Sequence, residues 1–184
     1  MRERRGLDRP VTMVPMKDPA TCSMRIVVAA LAGVGSALLA QPAPVTTGAD
    51  HRVAARLEAA QQPYAVDEDG DFRLLYARAS GRTQVAWIAS ATNSVGGLEL
   101  RDLWSVAMRG QGEPPAALLA RLLQQNAARA FGAWQLQRSG EEYLVVLSAT
   151  APADADATTL MRLVESLVAD ADEWELTLTG KDEF

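Results

Sequence analysis

The chain has 184 residues, with 18 Lys and Arg against 23 Asp and Glu, one His and one Cys. A net charge of −5 opposes binding to nucleic acid or to an anionic membrane surface, both of which depend on basic patches. The single His excludes a multi-His metal site built from this chain alone.

Residues 1–25, which open with Arg2-Glu3-Arg4-Arg5, have no periodic apolar pattern. They read as a basic leader or a start-site overcall, with Met16 and Met24 as the other candidate starts. Arg4-Arg5 is followed by Gly6-Leu7-Asp8 instead of the apolar residues of a twin-arginine signal. Residues 26–40, Ile26 to Ala40, form an uncharged run of 15, short against the roughly 20 residues that span a bilayer as a helix. Positive charge precedes it and Gln41-Pro42-Ala43-Pro44 follows, the layout of a signal-peptide hydrophobic core with a cut near Ala40 to Ala43. The expected location is periplasmic or secreted with no stable membrane span after cleavage, or membrane-tethered if the segment stays. Gly33-Val34-Gly35-Ser36 lies inside this run and lacks the Lys of a phosphate-binding loop. Cys22 lies ahead of it, so the processed chain has no cysteine and no disulfide.

From Pro44 onward the chain has 141 residues, enough for one domain that buries most of its apolar surface. It carries 12 Lys and Arg against 20 Asp and Glu, a net of about −8. Residues 41–50 form a linker of Pro, Thr, Gly and Ala, and residues 51–184 form the domain. His51 to Gln62, with Val53, Leu57 and Ala60 at helical spacing, predicts a helix stopped by Pro63. Turn chemistry at Asp67 to Asp71 opens a strand from Phe72 to Arg78, and Ser80-Gly81 joins it to a second from Thr83 to Ala89. After a turn at Asn93 to Gly97, Leu98 to Ala107 predicts a third strand.

Gly110 to Pro115 breaks the sheet and starts a helix whose stripe is Leu118, Leu119, Leu122, Leu123, Ala127, Ala130 and Phe131. Trp134 to Gln137 and Tyr143 to Ala149 predict a second hairpin. Asp154 or Asp156 then caps a helix with Leu160, Leu163, Val164, Leu167, Val168, Ala171 and Trp174 on one face, limited by Gly180. The expected fold class is α+β: a single five-stranded antiparallel sheet with helices against it, in the order α-β-β-β-α-β-β-α.

Gly96 to Ser105, Leu122 to Gln135 and the ending Trp174-Glu-Leu-Thr-Leu-Thr-Gly-Lys-Asp-Glu-Phe184, taken with this order, resemble bacterial YbjN-type domains. That family is similar in fold to the class I chaperones of type III secretion, and the resemblance covers about 51–184. It implies a chaperone-like domain that binds protein or peptide, often as a homodimer, without a cofactor. The export signal is a departure from the cytoplasmic chaperones.

Residues that could carry chemistry are few. His51 beside the linker reads as a solvated helix-start residue. Asp67, Asp69 and Asp71 alternate, but Gly70 falls fourth where a Ca²⁺ loop of the EF-hand type needs Gly sixth, so they read as a turn. Glu141 and Glu142 read as turn residues, and no nucleophile elbow, zinc-protease His-Glu-x-x-His or Cys-x-x-Cys occurs. No catalytic, cofactor-binding or metal residue is assigned.

The tryptophans Trp87, Trp104, Trp134 and Trp174 read mainly as core. The third strand alternates Leu98 and Leu100 with Glu99 and Arg101, then reverses around Asp102-Leu103-Trp104. Such a reversal points to a bulge or to apolar residues on the outer face, making Trp104 and Val106 the candidate protein interface. On this reading Trp104→Ala weakens association with little loss of folding. The expected function is a non-enzymatic exported module that binds protein or peptide, or a second copy of itself. An envelope-tethered accessory domain ranks next, and a hydrolase using carboxylates ranks below both.

Overall fold

In the computed structural model, which describes residues 48–184, Asp50 caps helix α1 (His51–Ala59) by accepting the Arg52 amide at 2.8 Å. The expected leader at 1–25, the apolar segment at 26–40 and linker residues 41–47 lie outside the described residues. Helix α1 buries Val53, Ala54 and Leu57 and stops short of Gln62, because Gln61 adopts φ +54° and turns the chain toward Pro63.

One antiparallel sheet follows, with six strands where five are expected. The added strand, β1 (Ala65–Val66), is two residues long and pairs with the start of β2 (Phe72–Ala77). Two residues carry no readable alternation. Strand β3 (Thr83–Val95) passes through the expected turn at Asn93, and β4 (Leu98–Gln111) passes through the expected break at Gly110. The β3–β4 hairpin needs only Gly96-Gly97, whose φ of +58° and +85° are the two positive values that a two-residue type I′ turn requires.

Gly110 continues the strand because the Tyr143 ring of β6 (Glu142–Pro152) lies across it. A Cβ there would sit 2.2 Å from Cζ of that ring. Gly110→Ala is therefore expected to displace the ring and cost about 1–3 kcal/mol, read as a lowered urea midpoint with unchanged slope.

Strand β5 (Ala133–Ser139) pairs only with β6, giving the order β1-β2-β3-β4-β6-β5. Helices α1, α2 (Ala116–Ala128) and α3 (Ala157–Thr179) all contribute to a core on one face of this sheet. Leu57, Leu122, Val164 and Leu167 meet Phe72, Leu74, Ile88, Leu103, Val145 and Leu147 there. Asp156 is the α3 N-cap, accepting from Thr159 N at 2.7 Å, and Gly180 at φ +68° ends the helix.

Helix α2 departs from its expected packing. Of its apolar stripe only Leu122 is buried, and Leu123 is 69% exposed. Polar residues outside the stripe hold it instead. The Asn126 amide exchanges two hydrogen bonds with the Trp134 backbone, Arg121 lies 4.8 Å over the Trp174 ring, and Arg129 pairs with Asp170. These polar and cation–π contacts fix the rotation of the helix, and part of the stripe turns outward.

Candidate interaction face

Side chains alternate across a sheet, so burying Leu103, Val145 and Leu147 under the helices sends their neighbours to the other face. Register then builds that outer face row by row. Arg73 lies opposite Trp87, Trp87 opposite Trp104 and Trp104 opposite Ser148. In the next row Leu75 faces Val85, and Val106 faces Val146, which faces Gln135. Beyond them Arg109 and Gln137 flank Leu144. An apolar centre of Val85, Trp87, Trp104, Val106, Leu144 and Val146 thus has a polar margin.

Trp104 and Val106 both lie on this face, and both are buried, at 4% and 1% exposure. The β4 irregularity falls between Val106 and Met108, past the expected reversal at Asp102 to Trp104, so alternation through Trp104 is regular. The four tryptophans divide between the faces. Trp134 and Trp174 meet at 5.3 Å in the core beneath the helices. Trp87 and Trp104 stack on the outer face, centroids 6.0 Å apart and planes within 3°, the offset arrangement that the ring quadrupoles favour. The Trp104 indole N–H is buried and finds no acceptor among the described residues.

The candidate chemical groups stay apart. His51 is exposed at the start of α1. Asp67 folds its own turn, accepting from the amides of Asp69 at 3.1 Å and Asp71 at 2.9 Å. Asp71 accepts from Ser90 N at 2.7 Å. Glu141 sits in the β5–β6 turn and Glu142 begins β6. Burial raises the carboxyls of Asp71, Asp102 and Glu175 above the ordinary range. Asp71 immediately precedes β2, Asp102 lies within β4, and Glu175 lies on α3, where it accepts the Phe184 amide and pairs with Arg82 at 3.2 Å. Among the described residues, no three His, Cys, Asp or Glu side chains gather as a metal site would require. A depression of about 340 Å³ between the end of α1 and the start of α3 presents Arg162 and Glu165 beside Ala60 and Met161.

An ionic assembly at the start of α1 is not anticipated from the sequence. Asp50 pairs with Arg52 at 2.8 Å and with the buried Arg101, and Arg52 reaches Glu99 at 2.8 Å. Arg101 also donates to the carbonyls of Ala89 and Ser90. This assembly ties α1 to β3 and β4 on the helix side.

The outer-face partners of Trp104 were also missed. Val85 and Trp87 belong to a strand read without reference to its neighbours, while Leu144 and Val146 belong to one so uniformly apolar that no face could be assigned. Aligning the three strands on their alternation would have found them.

No protein-family model matches the chain, and no curated protein matches it. The outer face therefore has to be interpreted from its own chemistry. Among the described residues no helix is long and apolar enough to cross a membrane.

Proposed function

We propose that this is a non-enzymatic, exported protein-binding or chaperone-like module of YbjN type that recognises protein or peptide through the outer face of its sheet. The observation that carries the reading is the Trp87–Trp104 stack, set among Val85, Val106 and Val146 on the face opposite the three helices. Large aromatics with one polar edge are favoured anchors of protein interfaces, and the half-buried Trp87 is the more accessible ring of the stack. With the two-residue β1 set aside, the element order is α-β-β-β-α-β-β-α, which supports the YbjN-type reading. A homodimer through this face or through the exposed Leu123 of α2 is the self-binding form of the same proposal.

The periplasmic or secreted location rests on the uncharged 15-residue segment and its flanks. If Ile26 to Ala40 is retained, the same domain is an envelope-tethered accessory module.

Affinity capture with crosslinking from the envelope fraction, with the mature N-terminus read by mass spectrometry, tests the proposal. Trp87 is half-buried, so Trp87→Ala is expected to keep the fold while reducing specific capture at least tenfold. Undiminished capture by the folded variant sinks recognition through this face. Recovery in the cytoplasm with Met1 or Met24 intact overturns the location.

A further inference from the structure

The pairing of β3 with β4 begins at Ala86 opposite Ser105, so Thr83, the first residue of β3, has no partner from β4. The segment that follows α3 takes up its free amide. Thr83 N donates to Asp182 Oδ1 at 3.1 Å, Arg82 Nη1 donates to the Lys181 carbonyl at 2.7 Å, and the Arg109 guanidinium of β4 lies 5.9 Å over the Phe184 ring. From α3, Glu175 accepts the amides of two successive residues, Glu183 and Phe184. Arg82 pairs with Glu175 at 3.2 Å and is itself fixed by Asp172 at 2.7 Å.

Glu175 is 0% exposed, and a buried carboxylate is costly unless its charge is paired and its lone pairs are filled. Arg82 supplies the charge, and the segment supplies two donors. Ending the helix requires none of these contacts, because Gly180 in the left-handed region already donates to the Leu176 carbonyl. What the contacts do require is a particular extended peptide: two consecutive main-chain amides, a carboxylate at one residue and an aromatic ring two residues on. The Lys181, Asp182 and Glu183 side chains are exposed and only Phe184 is half-buried, so the segment lies at the surface where it can be exchanged.

We propose that Arg82, Thr83, Arg109 and Glu175 form a peptide-binding site, and that residues 181–184 occupy it as an intramolecular competitor. The ligand it takes from a partner protein is an extended segment with a carboxylate and, two residues on, an aromatic ring. The chain's own segment is present at an effective concentration that is roughly millimolar, so a partner binds well only once that segment is released. The inference goes beyond the proposed function and meets the outer face only at Arg109.

The test uses the full chain and a fluorescent, amidated peptide with the sequence of residues 179–184. In the full chain, Glu183→Pro with Phe184→Pro removes both amides that Glu175 accepts and so releases the segment. Fluorescence polarisation is expected to show the peptide binding at least tenfold tighter to this released chain than to wild type. A peptide carrying the same two prolines is expected to bind the released chain at least tenfold more weakly. Equal affinity for wild type and released chain, or equal affinity for the two peptides, overturns the proposal. Asp182→Gly with Phe184→Gly loosens the segment without proline, and the same order of affinities is expected if the first variant does not fold. In the unaltered chain, exchange of the Glu183 and Phe184 amides is expected to be at least a hundredfold slower than in the free peptide, and exchange at the peptide's rate overturns the occupancy. Capture of partners through Trp87 is measured separately, so either reading can fail without the other.

Discussion

Asp50→Ala is expected to lower the unfolding free energy by about 3–5 kcal/mol, because it leaves a buried guanidinium without its counter-charge. Arg101 is 2% exposed and ends its reach on Asp50. The carbonyls of Ala89 and Ser90 still accept from it after the substitution, but they carry no full negative charge. The same change removes the α1 N-cap and releases Arg52, held by Asp50 through its Nε and Nη2 atoms. Arg101→Met tests the assignment from the other side. It leaves Asp50 with Arg52 and replaces the buried charge by a shorter, uncharged thioether, so its cost should be clearly smaller. The double variant is expected to recover part of the Asp50→Ala loss, and strict additivity in a urea-denaturation cycle would sink the coupling.

The pH dependence has a definite sign. Burial pushes the Asp50 carboxyl up, but the hydrogen bonds from Arg52 and Arg101 outweigh it and hold the group well below the ordinary range. The Arg52 hydrogen bond also pulls the Glu99 carboxyl down to about 2. Carboxyls depressed in the folded state stabilise it above their unfolded pKa, near 4, and lose that contribution as pH falls through their folded values. The gap between wild type and Asp50→Ala should therefore narrow from about pH 5 to pH 2. Buried Asp71, Asp102 and Glu175 act in the opposite sense, since raised carboxyls favour the fold at low pH and lose that contribution as pH rises through their folded values.

How far the sequence could be read follows from the range of each interaction. Asp156 as the α3 cap and Gly180 as its end depend on neighbours within one turn, and local pattern sufficed for both. The α2 rotation depends on Asn126 meeting Trp134 and Arg121 meeting Trp174, contacts between elements that no periodicity encodes. Gly110 illustrates the same limit. It looks like a strand breaker until Tyr143 is known to cross it from the neighbouring strand. A reversal in β4 predicts Trp104 and Val106 on the outer face. Regular alternation reaches the same face, and the irregularity comes after Val106. Their burial, at 4% and 1% exposure, weighs against the expectation that Trp104→Ala spares the fold. That burial is a tertiary fact with no local signature.

Trp104→Ala in the full chain is accordingly expected to cost about 3–5 kcal/mol, the usual loss when a large aromatic is removed from a buried site. The indole has lost nearly all of its solvent exposure, and it stacks on Trp87 along one side. Trp87→Ala should cost less, because that ring is half-buried and its removal still leaves Trp104 among Val106 and Val146. The pair interaction adds about 0.5–1.5 kcal/mol, so the double variant should fall short of the sum of the singles by that amount.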